Sequence, residues 1–184
     1  MEMFERPLVF VDIETNGLSP RSARVIEVAA IRVEHGKVVQ KLNTLVDAGT
    51  PVPAFTTQLT GITQADMRGA PAFAEIVDKL QTICQGAVFV AHNVQFDYSF
   101  LREEFAREGV DFAPQLFCTV KLSRALYPQE RSHKLELLIK RHGLKFSARH
   151  RAYDDAHALW QFLQIAAKTF EPPVLAAAFA RQLS

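Results

Sequence analysis

Cysteine is scarce: Cys84 and Cys118 are the only two in 184 residues. They have no metal-type spacing and no secretory framework, which argues against a disulfide-stapled scaffold and reads as two buried thiols in a reducing compartment. An excess of one charge is also lacking. Lys and Arg number 21 against 20 Asp and Glu, a formal net charge of +1, so the chain as a whole has no pull toward nucleic acid or an acidic membrane. Any nucleic-acid site must be local. No stretch approaches the ~18 apolar residues a membrane span requires. Met1 to Pro7 holds two acids and no apolar run, so it does not read as a signal peptide. Repeats, low-complexity tracts and linkers are missing too. What remains is one compact domain, expected in the cytosol, with a hydrophobic fraction of 48% sufficient for one core.

The pattern along the chain is layered. Leu8-Val9-Phe10-Val11 is an unbroken apolar run leading into Asp12-Ile13-Glu14 and then Asn16-Gly17, a buried strand that ends in a turn. Val25 to Val33 is a second strand, and Val38 to Val46 its antiparallel hairpin partner across His35-Gly36. Pro51 and Pro53 close that run. Phe73, Ile76, Val77, Leu80 and Ile83 then recur at helical spacing after Pro71. Ala87–Ala91 reads as a short buried strand, Phe96 to Phe105 as a helix stopped by Gly109, and Leu116–Cys118 as a last strand. Three helical segments follow: one ending before Pro128, one over Lys134–His142 with Gly143 as its stop, and one over Ala152–Lys168. Strands first as a meander and then alternating with helices predict an α/β domain with a mixed sheet flanked by helices. The domain is expected over residues 1–170. Residues 171–184 read as a helical tail that packs back or as a junction to further sequence.

Three clusters carry chemistry. Asp12 and Glu14 are two apart on a strand, so both side chains face the same way. Such a pair reads as a strand end emerging into solvent, or as a buried pair held by something cationic between them. Asp97 lies in the first turn of a helix, where an acid serves as a cap or dipole partner or lines a cleft. His92 and Asn93 sit just beyond a strand's carboxyl end, where open α/β sheets collect ligands. The third cluster is His150-Arg151-Ala152-Tyr153-Asp154-Asp155, with Asp155 in a helix's first turn and His150 on the loop before it. His35, His133, His142 and His157 read as structural or solvent-facing. Carboxylates at strand ends and helix starts with one nearby His form a ligand set for two hard divalent cations, magnesium or manganese. Two such ions about 3.5–4 Å apart suit phosphodiester hydrolysis, and a His with an ordinary pKa near ~6.5 suits proton abstraction from water at neutral pH.

At these residues the sequence resembles the DEDDh family of 3′→5′ exonucleases, within the ribonuclease H-like superfamily, and is most like the proofreading (epsilon) subunits of bacterial DNA polymerase III. Phe10-Val11-Asp12-Ile13-Glu14-Thr15-Asn16-Gly17-Leu18 matches the first motif, and His92-Asn93-Val94-Gln95-Phe96-Asp97 the second. His150, Asp155 and Ala156 match the third, and Leu59-Thr60-Gly61-Ile62-Thr63 resembles another recurrent stretch. The likeness spans Leu8 to Leu163. A branch of the family places Tyr four residues before the last Asp; Arg151 stands there, so the His branch fits. Family spacing selects Asp155, with Asp154 about 100° further round a helix. The resemblance implies that Asp12, Glu14, Asp97 and Asp155 bind two metals, that His150 is the general base, and that Thr15, Leu18, Asn93 and Phe96 shape the pocket for the terminal nucleotide. It implies a single-stranded DNA 3′ end as substrate, with RNA as the rival and a silent nucleic-acid-binding module as another, and a polymerase or repair complex as partner.

Between Arg131 and Arg151 stand seven Lys or Arg against one acid, Glu136. The stretch reads either as a track for a phosphate backbone or as a solvated face with snorkelling stems.

Overall fold

The structure, a computed structural model, describes residues 6–147 and 151–183. The five strands among them are β1 (Leu8–Thr15), β2 (Val25–Glu34), β3 (Lys37–Leu45), β4 (Val88–Ala91) and β5 (Gln115–Cys118). They form one sheet in the order β3-β2-β1-β4-β5. β1 pairs antiparallel with β2 and parallel with β4, so the sheet is mixed. The hairpin forms as expected, with β2 and β3 antiparallel.

The helices among the described residues are α1 (Ala54–Thr60), α2 (Phe73–Cys84), α3 (Gln95–Arg107), α4 (Thr119–Leu126), α5 (Leu135–His142), α6 (Ala152–Thr169) and α7 (Pro172–Leu183). Six of the seven fall on expected segments. The exception is α1. Its large apolar residues, Phe55 and Leu59, are exposed, so no core-facing stripe marks it as a helix. Gly143 ends α5 in the left-handed conformation, as its position suggests.

Strand alternation sorts the core into two layers. Val9, Val11 and Ile13 pack with Phe73, Leu80, Phe100 and Phe105 of α2 and α3. Leu8 and Phe10 face the other way, onto Leu159, Phe162 and Leu163 of α6, with the Phe10 and Trp160 rings 5.4 Å apart. Leu175 and Phe179 of α7 are buried, and Phe179 stacks on Phe117 of β5 at 3.9 Å. None of the helices among the described residues is long and apolar enough to cross a membrane.

Candidate active site

The period of two that sends Leu8 and Phe10 toward α6 also sends Asp12 and Glu14 there. Glu27 is the direct cross-strand neighbour of Glu14, and it shares its face with Ala29, Ile31 and Val33 of the same layer. Asp155 enters from the first turn of α6, buried, while Asp154 on the same turn is half-buried. The result is a knot of acids. Oxygens of Asp12, Glu14 and Asp155 lie within 4.8 Å of one another. Asp97, in the first turn of α3, is buried and close enough to raise the pKa of both Asp12 and Glu14.

Burial and mutual repulsion set the electrostatics. Burial first, then the charges of Asp97, Asp155, Glu14 and Glu27, hold Asp12 well above the usual carboxylate range. Glu14 is pushed up to about 8 by burial, then by Asp155, Glu27 and Asp97, with Arg151 pulling the other way. Burial also raises Asp97 to about 8, against hydrogen bonds from the backbone N–H groups of Asp97 and Ile13. Carboxylates gathered this closely, and raised this far, call for a cation. An all-oxygen donor set suits a hard divalent ion that retains some of its own waters.

Glu27 escaped the sequence reading, although a single acid inside the apolar run Val25-Ile26-Glu27-Val28-Ala29-Ala30 is a visible anomaly. The structure gives it a partner 124 residues away: Arg151 donates to its carboxylate through Nη2 at 2.8 Å and Nε at 3.0 Å. The Ala152 N–H donates to the same group at 3.0 Å. Glu27 thus caps α6, the helix that carries Asp155. Arg151, counted above in the basic stretch, is committed to this contact. Arg151→Ala leaves a carboxylate that is 1% exposed with no guanidinium. About 2 kcal/mol of stability should go, placed between the values for buried and exposed pairs because Arg151 itself is half in solvent. Urea unfolding measures the loss; an unchanged midpoint would show that the pair contributes nothing.

The expected pocket residues lie at the end of β1 and on the segments that follow β1 and β4. The β1–β2 connection carrying Leu18 is braced on both sides. Thr15 Oγ1 donates to the Gly17 carbonyl at 2.7 Å, and Arg24 N–H donates to Asn16 Oδ1 at 2.7 Å. Asn16 Nδ2 reaches Thr50 Oγ1 at 2.8 Å. Arg24 also forks onto buried Glu104 of α3 at 2.8 Å through both Nε and Nη2. A Cβ on Gly17 would stand 2.9 Å from that of Ala23, so only glycine allows this close turn. From it Leu18 projects 83% exposed. Asn93 takes a left-handed backbone (φ 68°) and is exposed. Phe96 is half-buried against Phe100, ring centroids 5.0 Å apart. His150 lies outside the described residues.

His92 is held by hydrogen bonds on both ring nitrogens. Its Nε2–H donates to the His133 carbonyl at 2.8 Å, and Nδ1 lies 2.9 Å from Thr119 Oγ1. Burial lowers its pKa to about 4, so the ring is neutral and Nδ1 accepts from the hydroxyl. His133 in turn bonds Ser123 Oγ at 2.8 Å.

Known proteins share this fold and sequence pattern. The profile of the exonuclease family (RNase T type) matches residues 9–163. The PolC-type DNA polymerase III of Streptococcus thermophilus is 36% identical over 166 residues, covering 90% of this chain and 11% of the polymerase. That of Clostridium perfringens is 35% identical over 167 residues, covering 91% and 12%. The chain therefore spans about a ninth of the length of these curated relatives. Among solved structures, the zinc-bound complex of E. coli exonuclease I with single-stranded DNA superposes with a TM-score of 0.84 at 22% identity, covering 96% of this chain and 43% of the other. Exonuclease X in complex with 5′-overhanging duplex DNA gives 0.70 at 24%, covering 93% and 98%. With the fold, the ordered motifs and the family profile in agreement, the chain belongs to the exonuclease family as a DEDDh-type member of the ribonuclease H-like superfamily, and so to the hydrolases that act on nucleic acids.

Proposed function

We propose that this protein is a metal-dependent 3′→5′ exonuclease that removes nucleoside 5′-monophosphates from single-stranded DNA ends, in the cytoplasm and in the service of polymerase proofreading or repair. The observation that carries the reading is the convergence of Asp12, Glu14 and Asp155 within 4.8 Å beside buried Asp97. Two divalent cations, magnesium or manganese, bound by these four carboxylates would neutralise charge on the phosphodiester and acidify a water. The protein's own groups do the rest. Asp12 and Glu14, fixed by the β1–β2 ladder, and Asp155, fixed by the capped end of α6, hold the scissile phosphate's surroundings in place. His150 takes the proton from the attacking water. Thr15, Asn93 and Phe96 line the place of the terminal nucleotide, and Leu18 wedges against its base, gripping any base by its face. The PolC-type relatives support the polymerase context, and the single-stranded DNA bound by exonuclease I supports the choice of single strands.

Leu18→Ser keeps the turn and removes the apolar surface. KM for a single-stranded oligonucleotide should rise about tenfold, given ~1–3 kcal/mol per stacked base, with kcat changed less. An unaltered KM would remove Leu18 from the pocket.

The direct test is digestion of matched 5′-labelled single-stranded DNA and RNA with magnesium or manganese, beside an EDTA control and His150→Ala. The expected result is a ladder shortening from the 3′ end of DNA, abolished by EDTA and slowed ~10²–10⁴-fold in the variant. Faster shortening of RNA would reassign the substrate. No metal-dependent shortening of either would refute the reading.

A further inference from the structure

We infer that the groove of about 640 Å³ beside Asn93, walled by Arg124, Arg131 and Lys134, holds the phosphodiester backbone of single-stranded DNA upstream of the terminal nucleotide. The inference rests on the exonuclease reading above and deepens it.

The groove begins at the carboxyl end of β4, where Asn93 stands four residues before Asp97. It therefore adjoins the catalytic acids along the chain. Its three cationic side chains are exposed, with α4 contributing Arg124 and the α4–α5 connection contributing Arg131 and Lys134. The one carboxylate in its lining, Glu130, is taken by Arg141 at 2.9 Å. Positive charge is thus concentrated on a surface whose parent chain is almost neutral, which is the local site that the composition demanded. Pro128 and Val120 add apolar wall for a sugar or base edge.

The groove is also built in advance. His92 and His133 tie β4, α4 and the connecting loop into one hydrogen-bonded brace from below. Arg141 secures the loop's other side by donating to the Ser132 carbonyl at 2.9 Å. Lys and Arg gathered on a braced frame suit a ligand whose charge repeats along its length, and such contacts hold a strand without reading its sequence.

The test compares the wild type with Arg124→Gln/Arg131→Gln/Lys134→Gln on a 12-nucleotide oligothymidylate and on dithymidylate, which is too short to occupy the groove. Lys168→Gln, on exposed surface near the end of α6, is the charge control. The ratio of kcat/KM for the long over the short substrate should fall at least about tenfold in the triple variant. The salt dependence of 12-mer binding should flatten by about 2 in log–log slope, at ~0.7 per cation removed. Fluorescence anisotropy of the labelled 12-mer in EDTA should show the same loss of affinity, and Lys168→Gln should show none of these changes. Equal loss on both substrates, or no change on either, would overturn the inference. If the wild type cleaves neither oligonucleotide, the exonuclease reading fails. The anisotropy then decides the groove: weaker binding by the variant upholds it, and unchanged binding overturns it.

Discussion

Asp12→Ala is expected to abolish cleavage while leaving a folded protein that, without metal, is at least as stable as the wild type. Two effects act together at this residue. Its carboxylate is central among Asp97, Asp155, Glu14 and Glu27, each of which makes its ionisation less favourable. Removing it relieves repulsion in the empty cluster and deletes a metal ligand. The metal contribution to phosphodiester cleavage is several kcal/mol, so the rate should drop about 10³-fold or more at ~1.4 kcal/mol per decade. Relief of repulsion should offset the lost packing and hold or raise Tm near pH 8. Steady-state cleavage and thermal melting in EDTA check both halves. Cleavage near the wild-type rate would remove Asp12 from the metal site, and a collapsed fold would make it a structural residue.

The second large effect is the dependence of metal-free stability on pH. Glu14 and Asp97 titrate near 8 in the folded protein, against about 4 for free carboxylates. Between those values the native state binds more protons than the unfolded chain. Stability must then fall as pH rises, with the penalty appearing above pH ~4 and complete above ~8. In EDTA, Tm should drop by several degrees from pH 5.5 to 8.5. Saturating magnesium or manganese should restore more at pH 8.5 than at 5.5, because binding requires the deprotonated ligands. Equal metal-induced shifts at both pH values would contradict the electrostatic account of the cluster.

Much of this was legible from local pattern. The apolar run Leu8–Val11 with acids at its end implied a buried strand whose alternation puts Asp12 and Glu14 together, and the structure keeps both on the α6 side. The family spacing selected Asp155 over Asp154, which lies about 100° further round the helix, and the two differ in burial. What stayed hidden depends on partners far apart in sequence. Glu27 meets Arg151 across 124 residues and Glu104 meets Arg24 across 80, and neither distance leaves a local signal. For the same reason the basic stretch could not be divided. Arg141 and Arg151 are bound to Glu130 and Glu27, whereas Arg131 and Lys134 join Arg124 in the groove. The helix α1 was missed for a different cause, since its exposed Phe55 and Leu59 break the rule that helical apolar residues face the core.

The central claim is that the clustered acids are a divalent-cation site on which cleavage depends. Manganese binding to the EDTA-stripped protein at pH 8, measured by calorimetry for the wild type and Asp12→Ala with exonuclease activity recorded across the same titration, tests it most directly. The account predicts that wild-type activity rises from zero with manganese occupancy and that the variant binds manganese far more weakly at every concentration. Full activity before any metal is added, or wild-type manganese binding by Asp12→Ala, would contradict it.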